Sequence, residues 1–201
     1  MKTKIIKISI TIILLLICIL LYKLPAISLW RSFNNGVRAF GENNFEQAAV
    51  EFNKAVVISD DNILKYNLCI SRWADVVKLQ QDLKINTIND SSLTVLKKKE
   101  LMPKIEKAHD ALNQLIDAQK ISNNYLKKLY YAQGKLFLLE AQPEIAKQSF
   151  LKSMSKDKTF TLPQIELVKL KTTDESNFIP ELLLNIAEAK PIDIERKWKP
   201  F

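Results

Sequence analysis

The chain has only three glycines, and the way it places them restricts its fold more than any other feature. Gly36 precedes Phe45, Ala48, Phe52 and Ala55 in "NNGVRAFGENNFEQAAVEFNKAV", and Gly134 precedes Ala146 and Phe150 at the same intervals. Apolar residues from Leu29 to Phe40 recur at helical spacing, Gly41-Glu42-Asn43-Asn44 breaks the pattern, and a second helix follows from Phe45 to Ile58. Two helices joined so tightly must meet along their apolar stripes. Gly36 and Ala48 would let the backbones approach, with Phe45, Phe52 and Val56 filling the space around them.

The recurrence makes this a repeat. In the later copy Pro143 stands in the turn, where it suits the first turn of the next helix. Between the two copies lies a split one. "NILKYNLCISRWADVVKLQ" predicts a first helix with Tyr66, Ile70 and Trp73 on one face. "IEKAHDALNQLIDAQKISNN" predicts its partner, carrying Ala111, Leu115 and Ala118. Residues 81–103 separate them, with the loop-forming "NTINDSS" at the centre, and are expected to be an insertion flanked by helix extensions. After residue 160, "LPQIELVKLK" and "IPELLLNIAEAK" each begin beside a proline and carry apolar stripes, as helices capping a repeat stack should.

These positions resemble the tetratricopeptide repeat, whose period is about 34 residues. Gly36, Phe45, Ala48, Phe52 and Ala55 stand at that family's intervals, and Ala111, Leu115, Ala118 and Gly134, Ala146, Phe150 continue them. The chain departs from the pattern at Ser32, where the family has tryptophan, and at Asp60, where it has proline. The resemblance implies an all-α fold: an α-solenoid of about three helical hairpins over 28–160, with 161–201 as capping helices and tail. It also implies a concave groove lined by the first helices: Phe33, Val37 and Phe40, then Asn67 and Ser71, then Tyr131, Lys135 and Leu138, with ordinary packing between repeats as the alternative role for each. Phe33 and Val37 occupy places where family members that grip a C-terminal carboxylate use lysine and asparagine, so that clamp is not implied. An apolar groove suits an amphipathic helix or extended peptide.

At the other end, "ISITIILLLICILLY" from Ile8 to Tyr22 is uncharged and framed by Lys7 and Lys23. With both lysines snorkelling it reaches ~18 residues, near the minimum for crossing a bilayer. Lys2, Lys4 and Lys7 place the tail 1–7 in the cytoplasm by the positive-inside rule, so that 8–23 is expected to be a single-pass anchor in the inner membrane, with the domain outside. A cleaved signal peptide is the alternative: Leu24-Pro25-Ala26 offers a small residue after the run but no A-x-A pattern, and Ile17 before Cys18 argues against lipoprotein processing.

The net charge of +8 includes Lys2, Lys4, Lys7 and Lys23, leaving about +4 on the exported part. No aromatic residues interleave with a basic stripe, so nucleic acid is not an expected partner. "KKKE" from Lys97 to Glu100 would be a solvated run, or would touch anionic lipid or an acidic partner. No catalytic, cofactor or metal signature appears, and no small-molecule substrate is expected. His109 is the sole histidine and is expected on the surface; Cys18 and Cys69 read as small buried hydrophobes; Asp60 and Asp61 read as turn and cap residues. The functional expectation is a membrane-anchored, non-enzymatic adaptor or assembly factor that binds a protein or peptide, itself membrane-associated. The alternative is a structural subunit of a membrane machine; by analogy, bacterial proteins of similar plan accompany membrane proteins with von Willebrand A domains.

Overall fold

The computed structural model describes residues 24–85, 87–89, 95–118 and 121–172, and all of its regular structure is α-helical. Helix α1 covers 24–41, α2 Phe45–Ile58, α3 Asn62–Leu83, α4 Val95–Asp117, α5 Asn123–Leu139, α6 Pro143–Lys156 and α7 Leu162–Thr172. The expected anchor at 8–23 and the second capping helix lie outside the described residues. Among those residues no helix is long and apolar enough to cross a membrane.

Consecutive helices pair antiparallel. In α3 and α4, Cys69 meets Ala111, Arg72 meets Lys107 and Asp75 meets Lys104, so position rises in one helix as it falls in the other. In α5 and α6, Lys127 meets Ser153 while Gln133 meets Ser149. In α1 and α2, Phe40 packs edge-on to Phe45 with ring centroids 4.9 Å apart, and Phe33 meets Phe52 at 6.0 Å.

The first helix of every hairpin ends in the same way. Among the described residues, Asn43, Lys84 and Ala141 are the non-glycine residues with positive φ, at 57°, 52° and 59°. Each donates to the carbonyl three residues back, and the following residue donates to the carbonyl five back: Asn43 to Phe40 and Asn44 to Ala39, Lys84 to Gln81 and Ile85 to Gln80, Ala141 to Leu138 and Gln142 to Phe137. This is the Schellman turn, in which a left-handed residue lets the next N–H reach back to an orphan carbonyl of the last turn. It is also where the hairpins diverge. After Asn43 and Ala141 the second helix begins within two residues, started by the Asn44 carboxamide accepting from the Gln47 N–H at 3.3 Å in α2, and by Pro143 in the first turn of α6.

In the middle hairpin the chain instead runs through residues 85–94 before α4 starts. α3 and α4 are correspondingly long, 22 and 23 residues against 14 for α2 and for α6. The expected insertion is therefore partly helical. α4 starts at Val95, passes through Pro103 and stops at Asp117, so Ala118 lies in the turn beyond it and the helix expected over 105–124 is shifted towards the N-terminus. Pro103 is exposed and simply lacks the N–H that would bond the Lys99 carbonyl. The tip of the insertion ties hairpins together: Ile85 is buried, Ile88 packs on the core, and the Ile88 N–H donates to the Leu139 carbonyl at 2.8 Å, capping the end of α5.

Phe33, Phe52, Trp73, Leu112 and Leu129 belong to one apolar cluster that runs through all three hairpins. Tyr131, Leu138, Ala146 and Phe150 form a second, between α5, α6 and α7. α5 is thus apolar on two faces, one towards each neighbour.

Candidate functional site

The spacing that opens the sequence is a steric device. A Cβ built on Gly36 would lie 2.8 Å from Phe52 Cε1, and one on Gly134 would lie 2.7 Å from Phe150 Cδ1, both well inside van der Waals contact. Phe52, Phe150, Ala48, Ala55, Ala146 and Leu115 are fully buried; Phe45 and Ala111 are nearly so, and Ala118 is half-buried. Gly41 has open space around it and plays no part in the contact.

The eight residues expected to line a groove are placed differently. Phe33, Asn67 and Ser71 have no exposed surface; Phe40, Tyr131, Lys135 and Leu138 are buried, and Val37 is half-buried. Phe33 packs on Phe52, and the Ser71 hydroxyl donates to the Asn67 carbonyl of its own helix at 2.8 Å. Tyr131 packs between Phe150 and Phe160, each 5.8 Å away. The Lys135 ammonium donates to Glu166 of α7 at 3.0 Å, and Leu162, Leu167 and Leu170 cover Tyr131 and Leu138. On α5, then, α7 occupies the face that an open groove would need. All of these side chains except the half-buried Val37 are therefore buried in internal contacts, and the apolar ones pack between helices.

Two further residues depart from, or sharpen, their expected roles. His109 is only partly exposed: its ring lies 4.8 Å from Phe137 and its Nε2 is 3.1 Å from Glu140 Oε2, a bridge from α4 to the residue that closes α5. Cys69 is buried as expected, and its thiol donates to the Ala111 carbonyl at 2.9 Å. Burial pushes this thiol up to about 12, a shift that nearby Arg72 opposes. Such a thiol is inert at neutral pH. Among the described residues no three His, Cys, Asp or Glu side chains converge as metal ligands.

A recess of about 680 Å³ with a mixed lining lies between α2 and α4, with α3 as its floor. Ala49, Val50 and Asn53 come from α2, Arg72 and Asp75 from α3, and Lys99, Glu100, Pro103, Lys104 and Lys107 from α4. Lys104 spans it, donating to Asp75 at 2.7 Å and to Glu46 at 3.2 Å. Partial burial alone would lower the pKa of this ammonium, but the hydrogen bonds and charges of the two carboxylates outweigh it and the pKa is raised. Lys104 is therefore a fixed cation that sets the spacing of α2, α3 and α4. A shallower extension continues past Asn44, Lys78 and Asp82, where the Lys78 ammonium donates to the Asn43 carbonyl at 3.0 Å.

The sequence does not announce this cleft: its lining is drawn from three helices, and Lys99, Glu100 and Pro103 come from the helical part of the insertion. The one local signal was Lys97–Glu100, whose Lys99 and Glu100 reach the lining. No family model matches the chain, and no curated protein or solved structure matches it either.

Proposed function

We propose that the chain is a membrane-anchored helical-repeat adaptor or assembly factor of tetratricopeptide type, which holds a protein partner at an envelope membrane. The observation that carries this reading is the recurrence of one hairpin design. Gly36 on Phe52 and Gly134 on Phe150 interlock at identical spacing, and all three first helices end in the same backbone turn. Stacked hairpins of one design expose long lateral surfaces, which repeat proteins use to bind other chains. The apolar run Ile8 to Tyr22 supplies the tether, and tethering raises the effective concentration towards membrane partners.

The alternative, a structural subunit whose anchor packs permanently among other transmembrane helices, would favour small residues in that run. Ile8 to Leu21 is mainly Ile and Leu, with Ser9 and Thr11 as exceptions, which favours a simple tether. Replacing residues 8–23 by an unrelated membrane-spanning sequence separates the two. An adaptor keeps its co-purifying partner in detergent after the exchange, whereas loss of the partner with the domain still folded would refute the adaptor reading.

A further inference from the structure

Charge is unevenly satisfied around the cleft between α2 and α4. Of the carboxylates in its lining, Glu46 and Asp75 both sit on Lys104. Lys54 is held at 2.6 Å by Glu51, a buried carboxylate behind the lining. That leaves Arg72, Lys99 and Lys107 with Glu100 as the one carboxylate not already engaged. Among the described residues the Arg72 guanidinium donates to a neutral acceptor, the Lys107 carbonyl at 3.0 Å. Because Lys104 links Glu46 to Asp75 while Arg72 meets Lys107, the cleft has two ends. The Lys104 end is neutralised, and the Arg72–Lys107 end is positive. Between them Ala49, Val50 and Pro103 form an apolar strip, and Val50 is 46% exposed, unusual for a valine facing into a recess.

We propose that this cleft receives an acidic, amphipathic segment of a protein partner, with apolar side chains against Val50 and Pro103 and carboxylates on Arg72 and Lys107. The inference deepens the adaptor reading and rests on it. The volume falls within the range of about 300–1,000 Å³ typical of ligand sites, enough for a few side chains. Arginine beside lysine is suited to carboxylate recognition, since the guanidinium fork binds it bidentately. Nucleic acid fits less well: the lining has no aromatic residue for base stacking, and Glu46 and Glu100 on the walls would repel a phosphate backbone. A bilayer surface fits less well too, because the apolar strip is recessed between helices.

The test uses the full chain in non-ionic detergent and fluorescence anisotropy with a labelled synthetic peptide, Leu and Glu arranged on opposite faces of a helix. Its counterpart with Lys for Glu is the control, and oligouridylate and phosphatidylglycerol vesicles are the competitors. Expected are saturable binding of the Glu peptide, loss of about tenfold or more in affinity in Arg72→Glu/Lys107→Glu, and weakening with salt. Lys107→Glu alone, at an exposed position whose side chain makes no internal hydrogen bond, keeps the test valid if the double variant unfolds. It should weaken binding severalfold and leave the thermal melt unchanged. Three results would each overturn the proposal: no saturation at millimolar protein, equal binding of the Lys peptide, or affinity indifferent to both charge reversals. Displacement of the peptide by RNA or vesicles, sensitive to the same reversals, would reassign the cleft and overturn it as well. A partner that co-purifies undiminished by Lys107→Glu would leave the adaptor reading intact and sink only this one.

Discussion

The interlock of Gly134 with Phe150 makes a prediction whose sign changes with background. A methyl group at 134 would sit 2.7 Å from Phe150 Cδ1 and 2.9 Å from Cζ, with Cε1 closer still. Carbon atoms prefer separations of about 3.5–4.0 Å, so α5 and α6 must part by about 1 Å or the ring must move. The ring is fully buried and packed against Tyr131, so it has nowhere to go. Overpacking of this kind costs about 1–3 kcal/mol. Alanine is better than glycine in a helix interior by about 1 kcal/mol, which offsets part of that. Gly134→Ala should therefore destabilise the protein by up to about 2 kcal/mol, and Gly36→Ala, whose nearest approach is 2.8 Å, by less. Phe150→Ala alone should cost about 3–5 kcal/mol. With the ring gone, only the helix preference remains, and adding Gly134→Ala to Phe150→Ala should stabilise by up to about 1 kcal/mol. Urea unfolding of the four proteins, followed by circular dichroism in detergent, measures the cycle. A Gly134→Ala effect of the same sign in both backgrounds would refute the steric account.

Other predictions follow from single groups. Because burial pushes the Cys69 thiol up to about 12 from its ordinary value of 9.0, its contribution is complete below pH 9 and is lost as pH rises towards 12. Stability should fall by about 1.4 kcal/mol per pH unit in that window; Tyr66 adds to the loss only above its ordinary value of 10.0, so Cys69→Ala should flatten the profile between pH 9 and 10, and an unchanged slope would contradict this. Glu166→Gln removes the charge facing the buried Lys135 ammonium and should cost about 3 kcal/mol, with faster amide exchange in α7; an unaltered melt would show that the pair does not hold that helix. Ala141 adopts a left-handed conformation that costs an L-residue about 1–2 kcal/mol, so Ala141→Gly should stabilise by about 0.5–1 kcal/mol after glycine's greater unfolded-state entropy is counted. Destabilisation by Ala141→Gly would mean that this turn is not strained.

How much was legible beforehand depended on whether the information was local. The first and third hairpins were readable because Gly36 with Phe52, and Gly134 with Phe150, encode an interhelix distance in residue types and intervals. The middle hairpin was harder. Pro103 reads as a boundary, yet on the exposed side of α4 it costs one hydrogen bond and the helix continues through it. The half-burial of His109 was not legible because its partner Glu140 lies at the end of α5, 31 residues on, and nothing near 109 announces it. The groove positions were located on the right helices, but their burial depends on partners elsewhere in the chain, such as α7 over Tyr131 and Leu138. The cleft was invisible for the same reason: Val50, Arg72 and Lys107 are neighbours only after three helices have packed.

The account finally stands on whether this stack of hairpins holds another protein against the α2–α4 face. A photoactivatable residue in place of Val50, irradiated in intact cells carrying the full chain, tests this directly when the adduct is digested and its peptide sequenced. The expected result is one recurring acidic segment with interspersed apolar residues, lost when Lys107→Glu is added. Adducts confined to lipid, or to the chain itself, would contradict it.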